Sequence, residues 1–554
     1  MSKRNLPRNA ALLLSSARQD FTTAPLDFVA QAFRRIPTSA RNSCSSFLKL
    51  SRKHSAARAL YWLLRDDENS AREALSRVPV RRRGRLFSEL AIHLHVPELI
   101  QRVKPSRRLT MRSRHYQGDF ELPDLPIHRS VRGVNAGEQA PAVFHVLTNS
   151  APHSHGGYAH RSHELLLAQQ AAGIRVAAAT RLGYPVILGK GNASQVDVVD
   201  GIKYFRLLPW RMPKSPAGRV QRGADILQPL VKSFKADVLC TTTDFMNAAV
   251  TSEVARRLNI PWTYEVRGLP EDSWRTKFPT AEKRAAAANS LFYRSSQTLE
   301  TRAAQAAAHV FTLGPPLRAD FISRGVKSDD VTVVRNAVSE RNAGADTKQP
   351  AAAHRSTLGL PESGVWVGSV TSIVSYEGLE TLVEAVAFAR RHGADARLLL
   401  VGDGVAKPSL EKLAHDRGLI RGVHVVFTGR VPRSKTDSYY RALDIFAIPR
   451  RDERVCRIVE PLKPLQAVAE NRPILSSDLP ALRSLLESFN DTQFLPAADT
   501  AVWGNALIQR SSEERLPPAC EYRVDIMGTV FTWHSQAQHY VDALGPLAQR
   551  RPDE

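Results

Sequence analysis

Cysteine is scarce in this chain and never clustered: four of 554 residues, Cys44, Cys240, Cys456 and Cys520, stand far apart. Four isolated thiols argue against a disulfide framework and a structural zinc site, and they suit a reducing compartment. Long apolar runs are missing too. No stretch of about 18 or more uncharged apolar residues occurs, so no membrane-spanning helix is expected. The opening MSKRNLPRNAALLLSSARQD has a short apolar stretch without a cleavage pattern, and no signal peptide is read. Acidic residues are outnumbered, 54 Asp+Glu against 77 Lys+Arg, for a formal net charge of +23. What is there is globular: 43% hydrophobic and 24% charged residues, in a chain long enough for about three domains.

The charge is uneven. Residues 1–140 hold 26 Lys+Arg against 12 Asp+Glu. Residues 58–64 and 86–92 put apolar side chains on one helical face, with Arg81-Arg82-Arg83 between them. This quarter reads as a basic, mainly helical extension. It is either a solvated arm or a contact for the anionic inner face of the plasma membrane. It carries no aromatic-glycine stacking motif and no helix-turn-helix pattern, so nucleic acid is not an expected partner.

From Ala142 the pattern becomes strand, loop, helix, strand. Candidate strands are 143–147, 174–179, 237–240, 262–266, 310–313 and 331–334, then 365–370, 397–401, 423–427, 445–448 and 473–476. Short apolar runs separated by helical segments predict parallel sheets covered on both faces. Small, polar residues 341–357 read as a linker between the two sets. One helix is predicted over 379–391, stopped by Arg390-Arg391-His392 and Gly393. Another is predicted over 531–544, with Trp533 and Tyr540 on its buried side. The expected organisation is an extension at 1–140, a Rossmann-like domain at 141–340, the linker, a second Rossmann-like domain at 358–520 and a closing helix within 521–554. Two such α/β domains face each other across a cleft at the C-terminal edges of their sheets.

Several loops at those edges carry chemistry. Ser154-His155-Gly156-Gly157-Tyr158 follows the first strand and opens a helix, so backbone N–H groups can approach an anion there. Alone, such a loop is equally a tight turn. The second domain supplies Val401-Gly402-Asp403-Gly404, Phe427-Thr428-Gly429-Arg430, residues 444–450 and Pro461-Leu462-Lys463-Pro464-Leu465-Gln466. With Tyr376-Glu377-Gly378, Arg181-Leu182-Gly183-Tyr184-Pro185 and Tyr264-Glu265-Val266-Arg267-Gly268, the order of these motifs resembles the family 4 glycosyltransferases. Those are retaining enzymes of the GT-B fold, and the resemblance covers nearly all of residues 142–545.

The resemblance implies a hexose-type sugar moved, with retention, from a UDP- or GDP-linked donor to a cell-envelope or exopolysaccharide acceptor, glycan or lipid-linked. It implies a cytoplasmic protein, peripheral at the inner membrane face, that needs no metal or other cofactor. The implied donor-binding residues are Gly156, Gly157, Ser369, Gly402, Gly404, Arg430, Arg450, Arg454, Glu460, Leu462, Lys463, Leu465 and Gln466. Lys463, beside a helix start with Pro464 in its first turn, would face the diphosphate; the plainer reading is a solvated lysine. Family members place an arginine and a lysine after the first strand of this domain, where the chain has Ser369 and Glu377. The glutamate that holds the ribose hydroxyls is replaced by Gln466, and Ile458 stands eight residues earlier. Losing that charge-assisted contact weakens binding by about 1–2 kcal/mol. The catalytic residue is not identified by sequence. Glu265 and Arg267 are candidates near Glu271, and the alternative is that they pair across the strand end. His153, His155, His160 and His163 crowd the first loop without a ligand spacing that includes a carboxylate or cysteine, so a metal site is not expected. Gln466, Ser484, Ser369 and Glu377 together motivate a second reading, a non-catalytic binding or scaffold module of the same fold.

Overall fold

The computed structural model describes residues 5–23, 55–64, 68–94, 117–131, 141–338, 350–512 and 529–547, except 155 and 279, with isolated positions at 26, 29, 96, 113–115 and 527. Two sheets organise it. The first contains β1 (Ala142–Leu147), β2 (Arg175–Thr180), β3 (Val196–Val199), β4 (Ile202–Arg206), β5 (Val238–Thr242), β6 (Trp262–Val266), β7 (His309–Thr312) and β8 (Val331–Val333). Its order is β3-β4-β2-β1-β5-β6-β7-β8. The second contains β9 (Val365–Val370), β10 (Ala396–Val401), β11 (Val425–Gly429), β12 (Ile445–Ile448), β13 (Ile474–Ser477) and β14 (Thr492–Leu495), in the order β11-β10-β9-β12-β13-β14. Every pairing is parallel except β3 with β4. Central strands β1, β5 and β6 are buried along their whole length, and β1 reads as an apolar run broken only by His145. His145 within β1 is held by Gln169 at 2.9 Å, and burial pushes its pKa down to about 4, so the ring is neutral.

The predicted strands are all present, within one or two residues at most ends. The β3–β4 hairpin and β14 were not foreseen. The hairpin had a signal: Val196–Val199 and Ile202–Arg206 flank Asp200-Gly201, both at positive φ, the sequence preferred in a two-residue turn. The helix Leu379–Arg391 forms as expected.

The expected boundaries shift at three places. Residues 351–357 are not linker: they form the helix Ala351–Thr357 on the second domain, where Arg355 donates to Ala442 O at 3.1 Å and Asp444 Oδ2 at 2.9 Å. Residues 117–131 join the first domain, with Leu125 and Ile127 in its core and Ser130 N bonded to Ala306 O at 2.7 Å. The closing helix Trp533–Leu544 crosses back to the first domain, where Tyr540 stacks on Phe311 with ring centroids 3.9 Å apart. Each segment goes where its apolar side chains find a partner, whatever its place in the chain.

The extension is helical where described. Ala56–Leu63, Glu68–Ser76 and Arg85–His93 share a small core of Leu63, Leu75, Phe87 and Leu90. The helix Leu6–Thr23 packs on the first domain. No described helix is long and apolar enough to cross a membrane.

Candidate active site

The domains meet through loops at the C-terminal edges of both sheets. After β12, Arg454 pairs with Asp272 at 2.5 Å and with Asp320, both on the first domain, while Glu453 accepts from Arg275 at 2.9 Å and Arg284 at 2.8 Å. Glu460 is buried against Gly314 and accepts two bonds from Arg335, at 3.0 and 3.2 Å. Arg335 also donates to Ser484 O. Burial outweighs the arginine and raises the Glu460 pKa to about 7. These contacts come from the loops after β6, β7 and β8 and the segments after β12 and β13.

On the second domain, the loops after β9 and β10 are stitched together by backbone. A Cβ on Gly402 would lie 1.8 Å from Thr371 O, and one on Gly404 would lie 2.2 Å from Ile373 O. Only glycine lets the loops after β9 and β10 touch in this way. The contact fixes Thr371, whose hydroxyl accepts a 2.7 Å bond from Lys463 Nζ. Glu377 lies beside this lysine and binds Arg450 Nη2 at 3.0 Å. Burial by itself would raise the Glu377 pKa; Arg450 and then Lys463 hold it below the ordinary value. Burial lowers the Lys463 pKa, opposed by Glu377. The cluster therefore has two cations to one carboxylate, and a net positive charge that an anion would complete.

The structure distributes the sequence candidates unevenly. Lys463 and Arg450 come together as described, while Arg430 stands exposed after β11. Ser369 is buried with its hydroxyl donating to Ala447 O. Gly156 and Gly157 are exposed at the start of the helix Gly157–Ala171, and a Cβ on either would meet nothing within 4 Å. Arg454 and Glu460 move from the donor side to the domain junction, because carboxylates and Arg335 of the first domain satisfy them. Leu462 packs against the first-domain core and Leu465 is buried in the second. The Gln466 amide donates to Asp437 at 3.3 Å and Glu470 at 3.4 Å. A glutamate here would be a third carboxylate in the same place, which gives the amide a local reason.

Glu265 and Arg267 are paired and buried. Glu265 accepts from Arg267 Nη2 at 2.6 Å and from Arg161 Nε at 2.8 Å. Burial is more than offset by these two guanidiniums, and the Glu265 pKa falls to about 2. Arg161 also caps Val334 O and Arg335 O, tying β6 to the end of β8. Glu271 is buried beside Arg324. The histidines disperse: His153 binds Asp197 at 3.0 Å, His160 faces Glu164 at 3.4 Å, and His163 binds Asp200 at 2.8 Å; His155 lies outside the described residues. Sequence reasoning missed Arg161, Thr371, Asp272 and Asp437, none of which sits in a motif; a buried arginine on a helix carries no local signature.

Comparison with known proteins follows this geometry. Residues 156–337 match a family model described as a glycosyl transferase 4-like domain, and residues 362–512 one described as glycosyl transferases group 1. An alpha-D-kanosaminyltransferase of Streptomyces kanamyceticus is 27% identical over 33% of this chain and 48% of its own length. A GDP-mannose-dependent alpha-(1-6)-phosphatidylinositol monomannoside mannosyltransferase of Mycobacterium tuberculosis is 34% identical over 20% of this chain and 28% of its own. The chain thus spans about half the length of the first and under a third of the second. The solved sucrose-phosphate synthase of Thermosynechococcus elongatus shares the fold with a TM-score of 0.58 at 18% identity, over 72% of this chain and 98% of that one. The second sheet lies within the matched residues 362–512, and all strands of the first except β1 lie within 156–337; the chain belongs to the family 4 glycosyltransferases of GT-B fold.

Proposed function

We propose that the chain transfers a hexose-type sugar from a UDP- or GDP-linked donor to a glycan or lipid-linked acceptor of the cell envelope or an exopolysaccharide, with retention. The observation that carries this is the Lys463–Thr371 contact beside Arg450 and Glu377, a net positive cluster at the C-terminal edge of the second sheet. The diphosphate sits there, and Lys463, Arg430 and the open Gly156-Gly157 amides balance the charge it gains on leaving. Protein cations fill the role that a divalent metal fills elsewhere. Positive charge develops on the sugar ring, as in glycoside hydrolysis. Glu265 is held by two arginines and is not available as a nucleophile, which suits front-face attack by the acceptor.

A second reading has its own observation. Glu377 neutralises Arg450, and Gln466 offers an amide already engaged, so the cluster could bind a nucleotide-sugar without turning it over. The experiment is a donor screen by calorimetry and product analysis on the full chain and Lys463→Ala. Transfer that drops at least a hundredfold in the variant, with the product anomer retained, supports the first reading. Binding without transfer supports the second, unchanged turnover in Lys463→Ala takes the diphosphate away from the Lys463 cluster, and no binding of any donor removes both. The basic residues of 1–140 give the reading an anionic membrane surface as further partner. Co-sedimentation of the same protein with phosphatidylglycerol vesicles tests it, and absence of binding at low salt refutes it.

A further inference from the structure

The groups that fasten the glycine-loop helix also fasten the second domain. The helix Gly157–Ala171 opens on Gly156, and two arginines hold its first turns. Arg267 donates from Nη1 to Tyr158 O at 3.1 Å and Ser162 Oγ at 2.6 Å, and from Nη2 to Glu265 Oε2 at 2.6 Å. Arg161, buried one turn into the helix, donates from Nε to Glu265 Oε1 at 2.8 Å. Glu265 at the end of β6 therefore anchors the helix start twice. Tyr158 in that first turn lies within electrostatic reach of Tyr376, the neighbour of Glu377 in the cationic cluster of the second domain.

Arg161 reaches further. Its Nη1 donates to Arg335 O at 2.7 Å and Asn336 Oδ1 at 3.3 Å, and its Nη2 to Val334 O at 2.9 Å. The ring of Trp533, on the closing helix, lies 5.6 Å from the guanidinium. Arg335 and Asn336 turn their other groups to the second domain. The Arg335 guanidinium holds the Glu460 carboxylate and Ser484 O, and the Asn336 amide donates to Glu460 O at 3.3 Å. Glu460 fills the space over Gly314, where a Cβ would lie 2.2 Å from its carboxyl carbon. The Gly314 backbone is extended, at φ −173°, which any residue adopts, so glycine is needed there only to make room for Glu460. One path of hydrogen bonds thus runs from Glu460 through residues 335 and 336 to Arg161 and the helix start. The planar fork of Arg161 makes bonds in fixed directions, which the single ammonium of a lysine does not reproduce.

We infer that Arg161 and Asn336 are positioning residues for the transfer: they couple the seat of Glu460 at Gly314 to the placement of the Gly156-Gly157 amides, so that those amides are aimed only when the second domain is docked. The part played in transfer rests on the transferase reading above; the coupling does not. Hydrogen exchange on the full chain tests the coupling. Gly314→Ala displaces Glu460 without touching the helix Gly157–Ala171, yet exchange in residues 157–166 quickens by about threefold or more, while residues 396–401 exchange as in wild type. Asn336→Ala does the same and keeps the test open if Gly314→Ala fails to fold, which thermal melting checks. Wild-type exchange at 157–166 in the folded variants overturns the coupling. Kinetics test the positioning, with nucleotide release from UDP-glucose and GDP-mannose as the signal. Arg161→Lys keeps the charge beside Glu265 but loses the fork, and kcat falls by about a hundredfold while the Kd of UDP or GDP changes by less than about tenfold. In a Gly156→Ala background the same substitution costs less than about threefold in kcat, because the group it aims is already impaired. Equal losses in both backgrounds, or kcat and Kd changing together, overturn the positioning role. If neither donor is turned over, the role in transfer falls with the transferase reading, and the exchange result still decides the coupling.

Discussion

At the scale of single residues, the first domain holds a carboxyl group with no cation beside it among the described residues. Glu300 is buried, accepts from Phe245 N at 2.9 Å and shares a short bond with the Tyr264 hydroxyl. Burial raises its pKa to about 8, from about 4.5 in an unfolded chain. The folded state then binds a proton that the unfolded state releases. Stability from this group is full below pH 4.5 and is lost as pH rises towards 8, by at most about 1.4 kcal/mol per pH unit. Glu300→Gln mimics the protonated form and removes that slope. Urea midpoints at pH 5, 7 and 8.5 check this: parallel slopes for wild type and variant refute it. Nothing in the sequence singled out Glu300, because its neighbours come from β6 and the start of the helix Phe245–Leu258 that precedes it, far away in the chain. Lys463 was legible because the motif around it, Pro461 to Gln466, is contiguous, whereas its partner Thr371 comes from another loop.

At the scale of elements, strands were legible and the roles of loops only partly so. Buried parallel strands announce themselves as apolar runs; β14 (Thr492–Leu495) is a half-exposed edge and does not. The glycine loops look alike in sequence but differ in structure. Gly404 lies against Ile373 O, whereas Gly156 faces open space at φ −72°. Gly404→Ala therefore forces backbone apart and lowers stability by about 2 kcal/mol or more, loosening the Thr371–Lys463 contact. Gly156→Ala leaves stability within about 1 kcal/mol and costs at least fivefold in nucleotide affinity through lost close approach. Unfolding midpoints beside calorimetric Kd values separate the two; equal stability losses in both variants would contradict the distinction.

At the scale of the whole molecule, the junction between the domains was the least legible part. Its partners are separated by more than a hundred residues, and the arginine that sequence motifs offered to a diphosphate is engaged there. Arg454 lies between Asp272, which is fully buried, and Asp320, while Tyr293 OH bonds Asp272 at 3.0 Å. Removing the arginine leaves the buried Asp272 with only Tyr293 and a 3.4 Å contact to Arg275, while Asp320 keeps Arg324 at 2.7 Å, so Arg454→Met lowers stability by about 2 kcal/mol. Asp272→Asn relieves part of that loss, and the double variant is more stable than the sum of the singles by about 1–2 kcal/mol. Because the pair is largely shielded from water, 0.5 M salt leaves the coupling mostly intact, unlike that of a surface bridge. A double-mutant cycle by urea unfolding at low and high salt measures both quantities. Simple additivity would mean that the Arg454–Asp272 pair does not couple the two domains, and that Arg454 is free after all to turn towards a nucleotide.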